Sequence, residues 1–250
     1  MIDCSGKIVL VTGASRGIGA AIVRRVASAG GSVVLHYNRS RTEADALRRE
    51  CPDVHLVQAD LGAPDGAAKL WQGALAWKGR IDVLVNNAGL YEAVPVDACY
   101  ETWSANWQRT LQVNLIAAAD LSREAVQHFR RQGGGILINI ASRAGFRGDG
   151  ADYMSYAASK GGMIALARTM ARAFAADKVL VYVIAPGFVD TAMADDFIAR
   201  HGEEAITREI PLGEMASPES VADIAAFLAS GAARHATGAT FDINGASYMH

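Results

Sequence analysis

The chain reads as an α/β protein, a doubly wound sheet of about seven parallel strands with helices on both faces, folded as a single domain over residues 1–250. Three observations predict this. β-Branched runs alternate with Ala-rich helical stretches along most of the length, the pattern of a parallel sheet covered by helices. The runs are hydrophobic almost without break, as strands buried on both faces are. At 250 residues the chain can bury a large core, and α/β proteins of this size are often one domain.

The expected strands are Ile8–Thr12, Ser32–His36, Val54–Gln58, Val83–Asn86, Ile136–Ile140, Leu180–Ala185 and Thr240–Ile243. The first helix carries Ile18, Ile22, Val26 and Ala29 on one stripe, with Arg24, Arg25 and Ser28 away from it, so it should lie against the sheet. Gly30 and Gly31 then stop it. Ser40 followed by Glu43 reads as a capping box, and Ser217-Pro218 as an N-cap with proline at the first helical position. Residues 190–214 are polar but helical in tendency and break the rhythm, as expected of a loop or lid over a pocket mouth.

Composition excludes several classes. Twenty-four Lys and Arg against 26 Asp and Glu give a net charge of −2 without a basic run, so nucleic acid is not the expected partner. No apolar run approaches the ~18 residues of a membrane span, since Val179–Val189 is broken by Pro186 and Gly187. Strand-like Lys7–Val11 follows the amino terminus too closely for a signal peptide, and a cytoplasmic protein is expected. Cys4, Cys51 and Cys99 form no Cys-x-x-Cys pair, and the histidines show no ligand spacing, so neither a disulfide framework nor a metal site is expected.

Directly after the first strand comes Thr12-Gly13-Ala14-Ser15-Arg16-Gly17-Ile18-Gly19, opening the first helix. Glycines at these places permit a tight turn, close approach of backbone to a pyrophosphate and close helix–strand packing, with the helix N-terminus facing the phosphates. This is the context of a Rossmann-type dinucleotide site. A binder of NAD usually presents a carboxylate about twenty residues on, at the end of the second strand. Here that place reads His36-Tyr37-Asn38-Arg39-Ser40, with no carboxylate until Glu43. Arg39 with Arg16 could bracket a 2′-phosphate, which favours NADPH over NADH.

Tyr156 and Lys160 stand one helical turn apart in an Ala-rich stretch and share a face. An ammonium close to the phenol would lower its pKa and make an acid suited to protonating a developing alkoxide. Tyr153 falls on the same face and is a rival for the role.

The ordered set Thr12-Gly-x-x-x-Gly-x-Gly19, Asn86-Asn-Ala-Gly89, Asn114, Ser142, Tyr156-x-x-x-Lys160 and Pro186-Gly187 resembles the short-chain dehydrogenase/reductase family over essentially the whole chain. The resemblance implies Tyr156 as general acid in reduction and Ser142 as hydrogen-bond donor to the substrate oxygen. It implies Lys160 as ligand of the nicotinamide ribose, lowering the tyrosine pKa, and Asn114 as part of a water-linked proton relay. By the same resemblance Gly13, Ser15, Arg16, Gly17, Ile18, Gly19, Asn38, Arg39 and Ser40 belong to the cofactor site. So do Asp60, Leu61, Asn87, Ala88, Gly89, Pro186, Gly187, Val189 and Thr191. Asp60 is expected beside the adenine, Asn86, Ala88 and Gly89 along the cofactor cleft, and Thr191 at the carboxamide. Tyr182, and Asn244-Gly245-Ala246, depart from the family's usual residues.

Within the family the resemblance is greatest to 3-oxoacyl-(acyl-carrier-protein) reductases, through Ala185–Met193, Ile210–Gly213 and Asn244–Met249. It implies a carrier-bound or small-molecule carbonyl substrate, and basic residues to meet an acidic carrier, with Arg130, Arg131, Arg143 and Arg147 as candidates. Alternatives are an NADPH-dependent reductase of a small ketone, sugar or pterin, an NAD-dependent alcohol dehydrogenase, and a dinucleotide-binding sensor. The resemblance also implies a homotetramer joined through Trp107–Arg130 and Tyr153–Ala175, where Gly161, Gly162 and nearby alanines permit close helix contact.

Overall fold

Alternating residues of each apolar run face opposite sides of a sheet, so the seven runs can support a core on each face. In the computed structural model, which describes residues 2–192, 198 and 202–250, they do. The strands are β1 (Ile8–Val11), β2 (Ser32–Tyr37), β3 (Val54–Gln58), β4 (Val83–Asn86), β5 (Gly135–Ile140), β6 (Val179–Pro186) and β7 (Thr240–Ile243). All pair in parallel, in the order β3-β2-β1-β4-β5-β6-β7. Val9 and Val11 pack with Ile22, Val26 and Leu228 on one face. Leu10 packs with Leu84, Leu121, Phe129 and Val181 on the other. Each such side chain, fully buried, contributes about 1.5–3 kcal/mol.

The helices among the described residues are α1 (Gly17–Ser28), α2 (Arg41–Glu50), α3 (Gly66–Lys78), α4 (Tyr100–Leu111), α5 (Ala117–Gln132), α6 (Ala144–Arg147), α7 (Met154–Phe174), α8 (Glu203–Thr207) and α9 (Pro218–Ala229). Ser217 caps α9 as expected, its side chain accepting from the Ser220 N–H at 3.1 Å. The capping box at Ser40 does not form. Ser40 precedes α2 but has ψ 65° instead of the extended backbone of a cap, and its side chain makes no cap bond. An Arg41–Asp45 ion pair one turn apart supports that helix instead.

Between α4 and α5 the chain makes a π turn, Gln112–Ile116, which no sequence signal announced. Gly161 and Gly162 serve packing within the chain. A Cβ at Gly162 would lie 2.8 Å from Leu115 Cδ2, and one at Gly161 would lie 3.2 Å from the Gly145 carbonyl oxygen. Tyr182, unusual for its place, is buried and donates its hydroxyl to the Ala233 carbonyl at 2.9 Å. No helix among the described residues is long and apolar enough to cross a membrane.

The strand order reverses between β1 and β4, and in open α/β sheets the ligand cleft lies at such a switch point, beyond the carboxyl ends of the strands. Most residues discussed next lie at that end, on the last positions of the strands or on the loops and helices that leave them.

Candidate active site

The loop from β1 to α1 is held from both sides. Asn87, just past β4, donates from Nδ2 to the carbonyls of Thr12 at 2.8 Å and Gly13 at 3.1 Å. Thr12 Oγ1 in turn accepts the backbone N–H groups of Asn87 and Ala88, each at 2.9 Å. From the β2 side, the Gly13 N–H donates to His36 Nδ1 at 3.0 Å. Since Nδ1 accepts, the ring proton belongs on Nε2, which donates to the Ala59 carbonyl at 3.1 Å. Burial pushes the His36 pKa down to about 4, so the ring is neutral at pH 7. Sequence reasoning did not single out Thr12 or His36 for this role; a buried histidine at the end of a strand has no motif.

The three glycines form a cradle that larger residues would fill. Gly13 and Gly17 have φ near +60°, at 60° and 54°. A Cβ at Gly13 would lie 2.9 Å from Ala88 Cα, and one at Gly19 would lie 2.5 Å from the Gly13 oxygen. Helix α1 starts behind them with no acidic residue in its first turn, which suits it to an anion. The residues thus fit a pyrophosphate. Ser15 on this loop and Ile18 in the first turn of α1 are half-buried, and Arg16, at the N-cap of α1, is exposed.

The ends of β2 and β3 meet beside the loop. Asn38 Nδ2 donates to Asp60 Oδ1 at 3.2 Å, an oxygen that also accepts the Gly62 N–H at 2.9 Å. Leu61 is buried, Ser40 half-buried and Arg39 exposed. Neither Arg16 nor Arg39 joins an ion pair among the described residues. On the far side, a Cβ at Gly17 would lie 3.3 Å from Thr191 Cγ2, so Thr191 reaches the glycine loop. Gly187, after Pro186, donates its N–H to the Ile243 carbonyl at 2.9 Å, and Val189 bridges Ala216.

Beyond the glycine loop the polar residues converge. Asn114, fully buried in the π turn, grips Leu90: its Oδ1 accepts the Leu90 N–H at 2.7 Å and its Nδ2 donates to the Leu90 carbonyl at 3.0 Å. The same Nδ2 lies 3.1 Å from Ser159 Oγ on α7. Lys160 donates to the Ile140 carbonyl at the end of β5 at 2.7 Å. Just past that strand end, Ser142 accepts the Ala144 N–H at 3.1 Å, and its hydroxyl acts on the Tyr156 phenol, lowering a pKa that burial raises. A Cβ at Gly89 would stand 3.5 Å from both Lys160 Nζ and Asn114 Oδ1, so Gly89 faces the same space. The site expected from scattered positions is therefore contiguous.

The protonation of the Tyr156–Lys160 pair differs from expectation. Tyr156 keeps some of its surface at the cleft, yet burial raises its pKa to about 12 against the lowering effect of the Ser142 hydrogen bond, with the Asp149 charge adding to the rise. Burial draws Lys160 down to about 8. The ammonium lies 5.7 Å from the centre of the tyrosine ring and bonds Ile140, so desolvation prevails over its attraction for a phenolate.

Four further expectations need revising or bounding. Asn86 does not line the cleft: it is 2% exposed and donates to Ser122 Oγ and Asn139 Oδ1, each at 3.0 Å, joining β4 to β5 and α5 in the core. Arg143 is not a surface cation for a carrier protein, being 5% exposed. Tyr153, the rival, ends a 3₁₀ turn just before α7, and its ring stacks at 4.0 Å on Tyr91, the same ring that packs edge-on against Tyr156. Of the expected lid over 190–214, residues 193–197 and 199–201 lie outside the described residues. The returning arm is anchored, with Ile206 and Ile210 buried and the Leu212 N–H donating to the Gly245 carbonyl at 3.2 Å.

A seven-stranded parallel sheet with a glycine cradle at its switch point and a Ser–Tyr–Lys cluster alongside defines an oxidoreductase of the nicotinamide-dinucleotide type. A short chain dehydrogenase family model matches residues 7–201, and the chain belongs to that family. It is 38% identical to nodulation protein G of Rhizobium sp. (strain N33), with 100% of both chains covered. It is 32% identical to the 3-oxoacyl-(acyl-carrier-protein) reductase FabG of Aquifex aeolicus (strain VF5), covering 99% of each. A crystal structure from Beutenbergia cavernae, assigned provisionally as an NAD(P) dependent gluconate 5-dehydrogenase with NADP bound at low occupancy, superposes with a TM-score of 0.90. It is 36% identical and covers 98% of this chain and 97% of its own.

Proposed function

We propose that the protein uses NADPH to reduce a ketone carbonyl to a secondary alcohol, with Tyr156 as the general acid. The observation that carries this reading is the convergence of Ser142, Tyr156, Lys160 and Asn114 beside the glycine cradle. Bound NADPH supplies a hydride to the carbonyl carbon. Ser142 holds the carbonyl oxygen, and the Tyr156 hydroxyl gives that oxygen its proton as negative charge develops there. A pKa raised to about 12 keeps the phenol protonated at neutral pH, as an acid in reduction must be. Lys160 would hold the nicotinamide ribose, and Asn114, through its grip on Leu90 and Ser159, keeps the π turn in place beside it. Preference for NADPH is supported by the exposed Arg16 and Arg39 and by the NADP in the Beutenbergia structure.

A 3-oxoacyl thioester is the first substrate to test, supported by the likeness to the Aquifex reductase. A second reading, reduction of a small free carbonyl compound, is favoured by the burial of Arg143, which takes one cation away from any carrier-docking surface. A cytoplasmic homotetramer belongs to the same proposal. The test is the initial rate of cofactor oxidation with a short 3-oxoacyl thioester, using NADPH and NADH, for the native chain, Tyr156→Phe and Tyr153→Phe. Turnover that is lost only with Tyr156→Phe and is faster with NADPH supports the mechanism; survival of Tyr156→Phe removes it.

A further inference from the structure

Arg143 follows Ser142 in the chain and has no part in the proton transfer. Its guanidinium lies over the Phe188 ring at 4.9 Å. Nη2 donates to Glu209 Oε2 at 3.4 Å, longer than a good charge-assisted bond, and Nη1 is buried without a hydrogen-bond partner among the described residues. Burial lowers its pKa, but a guanidinium stays charged. A buried cation held by one long bond is unfavourable unless something else completes it.

The surroundings indicate what that is. Glu209, on the segment returning from the sheet's carboxyl end, is half exposed and spans two cations, Arg143 and Arg147, the latter at 3.1 Å. Asp149 is the other nearby acid; its side chain accepts the Gly150 N–H at 2.8 Å, and it interacts with Tyr91, adding to the rise that burial gives that phenol's pKa. Tyr91 packs edge-on against Tyr156 with ring centres 4.7 Å apart. The under-bonded guanidinium thus lies within the electrostatic reach of Tyr91, the ring that packs on Tyr156, and a carboxylate, that of Glu209, already fits against it.

We propose that Arg143, assisted by Arg147, is the subsite for a carboxylate on the substrate itself, so that the preferred substrate is an oxo acid and the product a hydroxy acid. This rests on the carbonyl-reductase reading. In it Glu209 holds the two arginines in place in the free protein, and a substrate carboxylate displaces the half-exposed Glu209, takes over its bond to Arg143 and, as the side chain shifts, engages the Nη1 that is otherwise buried.

The test compares 4-oxopentanoate with its methyl ester, and 3-oxobutanoate with its methyl ester, for the native chain, Arg143→Met and Glu209→Gln. The native chain should favour each acid over its ester by about 10- to 100-fold in kcat/KM, as a buried bond to a charged group implies. Arg143→Met should raise KM for the acids by a similar factor and leave the esters within about two-fold. Glu209→Gln should lower KM for the acids. Preference for the esters by the native chain, or equal losses for acid and ester in Arg143→Met, would overturn the proposal. If Arg143→Met does not fold, the native acid-to-ester ratio and the Glu209→Gln shift decide it. Absence of turnover with every carbonyl would count against the reductase reading, and calorimetric titration of the NADPH-loaded protein with unreactive pentanoate then decides the subsite separately. Binding that Glu209→Gln strengthens upholds it; no binding by the native chain removes it.

Discussion

Replacing His36 with glutamine should remove a defined part of the protein's pH-dependent stability. In the unfolded chain an imidazole titrates near 6.5, whereas burial holds His36 to about 4 in the fold. The folded-state pKa is depressed, so the stabilisation is fully present above the unfolded value and is lost as pH falls from there toward 4. Between about pH 7.5 and pH 5 the unfolded chain gains about 2 kcal/mol from taking up this proton while the folded chain gains almost nothing. Glutamine does not titrate and offers both an acceptor for the Gly13 N–H and a donor for the Ala59 carbonyl. Urea unfolding followed by circular dichroism at the two pH values should therefore show the native chain losing about 2 kcal/mol more than His36→Gln. His55 and His128, also depressed by burial, are present in both proteins and cancel. The same proton would turn the Nδ1 acceptor into a donor facing the Gly13 N–H, so NADPH affinity should hold down to about pH 5 and weaken in the native chain, not in the variant, only as pH falls to about 4. Equal pH dependence in both proteins would refute the neutral, loop-holding histidine.

Gly19→Ala should abolish measurable NADPH binding by fluorescence titration, because the new methyl would stand 2.5 Å from the Gly13 oxygen and 2.6 Å from Asn87 Nδ2 and must push the loop apart. The double variant Arg16→Ala/Arg39→Ala should raise KM for NADPH by about 10- to 100-fold with little change for NADH, as loss of charge-assisted bonds to a 2′-phosphate requires; parallel changes for both cofactors would contradict the phosphate role. Asn114→Leu strands the Leu90 N–H and carbonyl and should cost about 2–4 kcal/mol in chemical denaturation, with activity lost even where the variant remains folded.

Periodicity and punctuation determined the sheet. Seven runs of nearly unbroken apolar residues, each ended by glycine or polar residues, can be buried only between helices on two faces, and their boundaries in the fold lie within one residue of those read from the chain. The glycine loop was legible for the same local reason, since strand, turn and helix are contiguous there. Tyr156 and Lys160 are a short-range pair, and α7 brings them together by its own geometry. Other features depend on elements distant in sequence. His36 meets Gly13 only because β2 lies beside β1, and Asn87 clamps the loop only because β4 lies on the other side. Asn86 and Asn87 are adjacent in the chain, yet the alternation of the strand end sends one into the core and the other to the cleft. Burial likewise arises only in the assembled fold. It reverses the expected direction for Tyr156 and turns Arg143 from a supposed surface cation into a buried, under-bonded charge, because desolvation depends on every neighbouring element at once.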